Sequence, residues 1–139
     1  SMMCDQVAEK FAKFGIERDR LIMGFNSPPW DVLREIDIAL DCFPHNSGTT
    51  LFEHLYMGNP YVTLYNRASV GTLGGAILRH CGFGEWVAVD LASDLDKLAD
   101  IRATIREKMQ DSPAMDEKAF VKRMENAYRQ MWTRYCETA

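Results

Sequence analysis

Short apolar runs alternate along this chain with segments of helical periodicity. Ile38–Leu40 shows no alternation of apolar and polar residues, which is typical of a strand buried on both faces of a parallel sheet. Four runs of this kind predict strands at Leu21–Met23, Ile38–Leu40, Tyr61–Leu64 and Trp86–Val89. Because helical patterns separate them, the sequence predicts an α/β fold, with a Rossmann-like parallel sheet of about four strands, right-handed crossovers and flanking helices.

Apolar spacing and turn residues predict where the helices lie. The predicted helices are Asp5–Phe14, Trp30–Glu35 after a Ser27 cap, Thr49–Met57, one that ends near Cys81, and two long carboxyl-terminal helices capped by Ser93 and Asp116. The two long helices carry apolar stripes from Leu95 to Met109 and from Phe120 to Tyr135. We expect one domain over residues 2–139, with Ser1 set aside as a cloning remnant. The chain starts on a helix where such a sheet would start on a strand, so the pattern is that of part of a larger unit.

The composition narrows the class of protein and its partners. Of the 139 residues, 47% are hydrophobic and 26% are charged, which excludes a disordered chain and fits one ordinary domain. No apolar run approaches the ~20 residues that span a bilayer. The net charge of −4 argues against nucleic acid as a partner, since Lys and Arg drive phosphate-backbone binding. Four dispersed cysteines without a CxxC motif predict reduced thiols in a cytoplasmic protein and no zinc site.

The loop between the second predicted strand and its helix carries the strongest functional signal. It reads DCFPHNSGTT over residues 41–50. Ligands of open parallel sheets bind at the carboxyl ends of the strands, where this loop lies. Its small residues let the backbone approach a ligand, and the N–H groups of a helix start favour an anion such as phosphate. The hydroxyl groups of Thr49 and Thr50 add donors.

A purely structural interpretation of the same loop stays open. Thr50 followed by Glu53 has the spacing of a capping box, and Asn-Ser-Gly is an ordinary turn. The loop matches neither a Walker loop nor a GxGxxG motif. The residue pattern therefore permits a phosphate site without requiring one.

Two neighbouring loops offer weaker candidates at the same edge of the sheet. Asn26 and Ser27 follow the first predicted strand, whereas Arg67 and Ser69 follow the third. Arg67 and Ser69 are candidates for binding a diphosphate, although a solvated loop arginine has the same signature. Trp30 is more easily explained as a core residue than as a platform for a base.

Three histidines complete the candidates. His45 lies in the loop and is a candidate phosphate donor or base. His54 falls inside a predicted helix and is expected to be packed or on the surface. His80 lies near a helix end, where a cation interacts favourably with the helix dipole.

The chain resembles the carboxyl-terminal half of the O-linked N-acetylglucosamine transferase and SPINDLY-like glycosyltransferases. The residues that carry the resemblance are Asp37–Thr50, Glu53, Leu55, Met57–Gly58, Pro60, Val62–Leu64, Arg67–Gly71, Gly82, Trp86, Ser112–Pro113, Asp116 and Ala127–Trp132.

The resemblance implies half of a GT-B fold, in which two Rossmann-like domains face each other and the carboxyl-terminal one holds the UDP of a UDP-sugar. It implies diphosphate contacts at Thr49 and Thr50, a ribose contact at Glu53 and a uracil contact at Asn26–Trp30. It implies no metal and no cofactor apart from the UDP-sugar donor. The predicted nucleotide-sugar-binding residues are Asn26, Ser27, Asn46, Ser47, Gly48, Thr49, Thr50, Glu53, Arg67 and Ser69.

The chain also departs from the family pattern. The half that brings the acceptor is absent, as is the segment with the lysine that usually meets the diphosphate. Thr72 stands where the family often has arginine, and Gly48 where its animal members have histidine. In addition, Val89-Asp90 runs straight into Leu91–Asp94, where the family would have a further helix.

The implied function is that of the UDP-sugar-binding domain of a protein O- or N-glycosyltransferase, which transfers N-acetylglucosamine or glucose. We expect the chain to be inactive alone, with a protein acceptor and the missing amino-terminal domain as partners, and we assign no catalytic residue. The alternative is a non-catalytic remnant that binds a nucleotide weakly or associates with protein. The apolar stripe on the last helix further predicts a homodimer, unless that helix folds back onto the sheet.

Overall fold

The structure is a computed structural model that describes residues 2–64, 71–84 and 88–138. Its helices are α1 (Met2–Ala12), α2 (Trp30–Arg34), α3 (Thr49–Tyr56), α4 (Leu73–His80), α5 (Ala88–Ser93), α6 (Leu95–Gln110) and α7 (Glu117–Thr138), and its strands are β1 (Ala39–Leu40) and β2 (Tyr61–Val62). A 3₁₀ turn at Arg18–Arg20 follows α1. Within these ranges, no helix combines the length and apolar character needed to cross a bilayer.

The sheet in the described part of the chain consists of two parallel strands. β1 and β2 pair with Ala39 opposite Tyr61 and Leu40 opposite Val62. The N–H of Asp41 donates to the carbonyl of Val62 at 2.9 Å, so the pairing extends to the first residue of the candidate loop. The crossover between the strands contains α3, which confirms the predicted strand-helix-strand unit at the centre of the chain.

The predicted number of about four strands was wrong for the described residues, and Leu21–Met23 is one reason. The N–H of Leu21 donates to the carbonyl of Arg18 at 3.1 Å, and the Arg18 guanidinium donates to the carbonyl of Leu21 at 2.7 Å. Both main-chain groups of Leu21 are thus used locally, and the side chain of Ile22 is 97% exposed. An apolar run without a neighbouring strand forms no ladder.

The predicted strand Trp86–Val89 also differs from the structure. Trp86 and Val87 lie outside the described residues, whereas Ala88 and Val89 begin α5. This short helix buries Leu91, which is 1% exposed. A helix therefore occupies the stretch at which the sequence analysis expected none.

The core lies where α3 packs against α6 and the sheet. Leu51 and Leu55 of α3 are completely buried, and Ile105 and Met109 of α6 are buried against the same cluster. Each pair is spaced by four residues, which puts its members on one face of the helix. The predicted stripe on α6 is confirmed in these two residues and Leu98.

Two arginines of α6 bind main-chain carbonyls of earlier elements. Arg102 donates to the carbonyl of Ile36 at 2.5 Å, just before β1. Arg106 donates to the carbonyl of Tyr56, the last residue of α3, and lies 4.8 Å from the centre of the Tyr56 ring. A cation at the carboxyl end of a helix is favourable, so this contact secures the end of α3 that lies opposite the candidate loop.

The two long helices begin at side-chain caps, one of them where it was predicted. Asp116 accepts a hydrogen bond from the N–H of Ala119 at 2.9 Å, which confirms the cap of α7. Asp94 caps α6 by accepting from the N–H of Lys97 at 3.0 Å. The prediction of Ser93 as this cap was wrong by one residue, because Ser93 ends α5.

Helix α7 carries its apolar stripe on the outside of the chain. None of its residues is buried, and Phe120, Tyr128 and Trp132 are each more than half exposed. The alternative in which both carboxyl-terminal helices fold back is therefore correct for α6 and wrong for α7. Helix α1 likewise buries none of its residues.

Candidate functional site

The carboxylate of Asp41 is the centre of a hydrogen-bond cluster at the carboxyl end of β1. Its Oδ1 accepts from the main-chain N–H groups of Cys42 and Ser47, each at 2.8 Å. The hydroxyl of Tyr61 donates to Oδ1 at 3.1 Å, and the hydroxyl of Thr63 donates to Oδ2 at 2.7 Å. The two ends of loop 42–47 are therefore bound to a single oxygen atom.

These hydrogen bonds determine the ionisation of the cluster. Burial by itself would raise the pKa of Asp41, but the hydrogen bonds from Ser47, Thr63, Tyr61 and Cys42 outweigh it and hold the pKa below its usual value. Burial, followed by the charge of Asp41, raises the pKa of Tyr61 to about 12. At neutral pH the cluster is a carboxylate anion held by neutral donors.

Polar side chains of the protein itself contact the start of α4. Asn46 is 1% exposed, and its side-chain oxygen accepts from the N–H of Gly74 in the first turn of α4 at 3.3 Å. A Cβ at Gly74 would lie 2.6 Å from Oγ1 of Thr63 and 2.7 Å from Oδ2 of Asp41. The first turn of α4 thus rests directly on the Asp41 cluster.

The start of α3 is different, because its N-cap is a glycine, which has no side chain that could accept from the first turn. Gly48 is its N-cap, and Thr49 and Thr50 are exposed in its first turn, with Glu53 half-buried one turn further on. The capping-box prediction was wrong, since Thr50 lies inside the helix. The first N–H groups of a helix have no acceptor within it, and two of them belong to the exposed residues Thr49 and Thr50. A Cβ at Gly48 would lie 3.5 Å from the side chain of Leu73, so the starts of α3 and α4 are adjacent.

The loop before α2 differs from its prediction in two respects. The N-cap of α2 is Pro29, with no side-chain hydrogen bond, so the Ser27 cap was wrong. Trp30 is 41% exposed, so its assignment to the core was wrong too. Asn26 and Ser27 are both exposed. This short helix therefore begins without a side-chain cap, at a proline whose backbone angles are already helical.

The histidines occupy three different environments. His45 is exposed in the loop, and His80 is exposed at the end of α4. His54 is buried, as one of its two predicted placements has it, with Nδ1 3.2 Å from the side-chain nitrogen of Asn59 and its ring 5.4 Å from that of Tyr61. Burial lowers the pKa of His54 despite the neighbouring charge of Glu53, so His54 is a neutral packing residue. No set of three His, Cys, Asp or Glu side chains in the described ranges is placed to hold a metal ion.

The structure brings the predicted binding residues of one loop together. Asn46–Thr50 lead into the first turn of α3, Glu53 lies one turn further on, and Asn46 also binds the start of α4. Arg67 and Ser69 lie outside the described residues. The binding role of each residue stays a prediction.

The Asp41 cluster was not predicted from the sequence. Asp41 was part of the candidate loop but had no assigned role, and neither Tyr61, Thr63 nor Gly74 was a candidate. One signal was available, because Tyr61 and Thr63 are two residues apart and therefore face the same side of a strand. Their alignment with Asp41 depends on the strand register, with Ala39 opposite Tyr61.

Comparison with known proteins gives this geometry a context. No protein-family model matches the chain. The chain is 35% identical to a probable UDP-N-acetylglucosamine–peptide N-acetylglucosaminyltransferase SPINDLY of Hordeum vulgare and 34% identical to that of Arabidopsis thaliana. Each alignment covers 96% of the present chain. The chain is similar to the SPINDLY glycosyltransferases. It spans only 16% and 17% of these two relatives.

A solved structure agrees with the sequence comparison. A mutant O-GlcNAc transferase of Thermobaculum terrenum superimposes with a TM-score of 0.84 at 28% identity, and the match covers 99% of this chain and 29% of the other. The family resemblance predicted from the sequence is confirmed. The chain is similar to part of these glycosyltransferases, and its fold is helix-rich and α/β.

Proposed function

We propose that this domain binds the diphosphate of a UDP-sugar at the start of α3 and serves a protein glycosyltransferase. The observation that carries the proposal is the first turn of α3, which follows a glycine N-cap and has Thr49 and Thr50 exposed. The neighbouring start of α4 is already filled by Asn46 and the Asp41 carboxylate, so α3 is the better anion site of the two. The similarity to probable UDP-N-acetylglucosamine–peptide N-acetylglucosaminyltransferases supports a UDP-sugar as the ligand.

The proposed roles follow the positions along the loop. Thr49 and Thr50 donate to the diphosphate through their main-chain N–H and hydroxyl groups. Glu53, an anion, is unsuited to phosphate and instead accepts hydrogen bonds from sugar hydroxyls. Asn26 and Ser27 are assigned to the base. Arg67 and Ser69 remain assigned to the diphosphate on the sequence resemblance.

The proposed reaction is the transfer of N-acetylglucosamine or glucose from UDP to a side chain of a protein acceptor. No metal is included, because the helix terminus supplies the positive potential that a cation would otherwise give. The reaction also needs the acceptor side of a GT-B enzyme, so we expect no transfer by the 139-residue chain alone. The alternative is a non-catalytic remnant, which the exposed face of α7 favours as an interaction module.

Calorimetric titration with UDP tests the proposal. We expect saturable binding by the parent chain, which the double variant Thr49→Ala/Thr50→Ala weakens at least about a hundredfold. Each lost hydrogen bond to a charged group costs about 1.5–3 kcal/mol, and about 1.4 kcal/mol corresponds to a factor of ten. Unchanged affinity in this variant would refute the assignment of the diphosphate to α3.

Matched controls sharpen this titration. Thr133→Ala/Thr138→Ala removes two exposed threonine hydroxyls from α7 and should leave the affinity for UDP unchanged. Titrations with UDP-glucose and UDP-N-acetylglucosamine rank the sugars, and titrations in EDTA and in Mg²⁺ test the metal-free assignment. Binding of UDP no tighter than that of inorganic pyrophosphate would favour the remnant.

We also propose that the isolated chain forms a homodimer through α7. Met124, Tyr128, Met131 and Tyr135 follow helical spacing and are all exposed, and apolar patches of more than a few hundred Å² are rare on monomers. Light scattering at micromolar concentration should give about twice the monomer mass. Replacing Tyr128 and Met131 by Gln should return it to 15.9 kDa. A parent mass of 15.9 kDa at every concentration would contradict this prediction.

A further inference from the structure

We infer that Asp41 is a positioning residue of the nucleotide site, whose carboxylate fixes the loop that sets the first turn of α3 against the ligand. The inference rests on the proposed function, because it assigns a role within that site. It concerns a residue that is not itself placed against the nucleotide.

The loop is closed by one atom. The N–H groups of Cys42 and Ser47 both donate to Oδ1 of Asp41 at 2.8 Å. Gly48, the N-cap of α3, follows Ser47 directly. The hydrogen bond from Ser47 to Asp41 therefore also positions Thr49, the first residue of α3.

The carboxylate is itself held from the neighbouring strand. Thr63 donates to Oδ2 at 2.7 Å and Tyr61 to Oδ1 at 3.1 Å, so four donors fix the side chain of Asp41. The starts of α3 and α4 are in turn joined through Asn46, which accepts from the N–H of Gly74. The sheet, the loop and both helix starts thus share this single side chain. Binding groups act efficiently only when supporting residues fix them in this way.

The negative charge of Asp41 and its positioning of the loop have opposite effects on the affinity for a diphosphate. The hydrogen bonds around Asp41 keep its pKa low, so it is an anion at neutral pH. A negative charge close to a diphosphate weakens binding, since like charges repel. Positioning and charge therefore predict opposite changes in affinity when the side chain is truncated.

Two variants separate the two effects. Asp41→Ala removes both acceptors, whereas Asp41→Asn keeps an oxygen for the two N–H groups and turns an amide N–H toward the Thr63 hydroxyl. We expect Asp41→Ala to raise the Kd for UDP at least about tenfold and Asp41→Asn to stay within about threefold of the parent. Calorimetric titration gives both values, with circular dichroism to verify the fold.

A core variant distinguishes positioning from a general loss of stability. Ile105→Val removes one methyl group from a completely buried residue of α6 and should leave the Kd unchanged. Equal or tighter UDP binding by folded Asp41→Ala overturns the inference. If Asp41→Ala does not fold, Thr63→Val carries the test, because it removes the donor to Oδ2; a raised Kd supports the inference and an unchanged Kd overturns it. Failure of the parent chain to bind UDP would instead refute the proposed function.

Discussion

Replacing Leu55 by alanine is expected to lower the free energy of unfolding by about 2–5 kcal/mol. Leu55 is completely buried where α3 meets α6, together with Leu51 and Ile105. Truncation removes apolar contacts and leaves a cavity that the two helices fill only in part. Urea denaturation followed by circular dichroism measures the change. The loss is a large fraction of the stability of a small domain, which is commonly about 5–15 kcal/mol in total.

Leu95 provides the matched control on the partner helix. It is the first residue of α6 and is 71% exposed, so Leu95→Ala should change the free energy of unfolding by no more than about 0.5 kcal/mol. Equal losses in the two variants would contradict a core centred on the contact of α3 with α6. A loss confined to Leu55→Ala would support it.

This contact is also the part of the fold that the sequence predicted best. Helix α3 was predicted as Thr49–Met57 and spans Thr49–Tyr56. The predicted stripe of α6 is buried at Leu98, Ile105 and Met109, but its first member, Leu95, is exposed because it begins the helix. Both helices have an apolar face that neighbouring elements bury, so local periodicity carried enough information. Residue pattern and tertiary packing agree at these positions.

The strands were harder to predict, because a strand exists only with a partner. Leu21–Met23 has the composition of a strand, yet Arg18 binds both main-chain groups of Leu21. Ala88 and Val89 ended a predicted strand, yet they begin helix α5, in which Leu91 is buried. Local hydrogen bonds in the first segment and the burial of Leu91 in the second override an intrinsic strand preference of at most about 1 kcal/mol per residue.

Helix α7 shows a related limit. Its stripe from Phe120 to Tyr135 predicted a helix with an apolar face, and the helix is present at Glu117–Thr138. The periodicity contains no information about which surface covers that face. The exposure of α7 agrees with the prediction of an uncovered stripe, whereas the homodimer stays a prediction.

The candidate site was likewise predicted only in part. The loop of residues 41–50 was recognised from its small residues and its place between strand and helix. The hydrogen bond from Thr63 to Asp41 joins residues 22 positions apart, and that from Gly74 to Asn46 joins residues 28 apart. Contacts of this range depend on the strand register and the helix positions, which the local pattern does not contain. The sequence therefore located the site without revealing how it is supported.

Replacing Gly74 by alanine is expected to lower the free energy of unfolding by about 2–4 kcal/mol, since overpacking costs ~1–3 kcal/mol and a disturbed hydrogen bond to a charged group adds to it. The new Cβ would lie 2.6 Å from Oγ1 of Thr63 and 2.7 Å from Oδ2 of Asp41. Those two atoms form a hydrogen bond of 2.7 Å, so moving either of them away from the new methyl group weakens that bond. The better helix propensity of alanine, at most about 1 kcal/mol, offsets only part of the loss.

Urea denaturation of Gly74→Ala and Gly24→Ala checks this prediction. An alanine methyl group at Gly24 meets no atom within 4 Å, so that variant should be close to the parent in stability. Adding Thr63→Ala removes the nearest clashing atom, and the double variant should be more stable than the two separate losses predict, by about 0.5–3 kcal/mol of coupling. Full stability of Gly74→Ala would mean that α4 does not rest on the Asp41 carboxylate. Because Asn46 links this first turn of α4 to the candidate loop, the variant should also bind UDP more weakly than Gly24→Ala does.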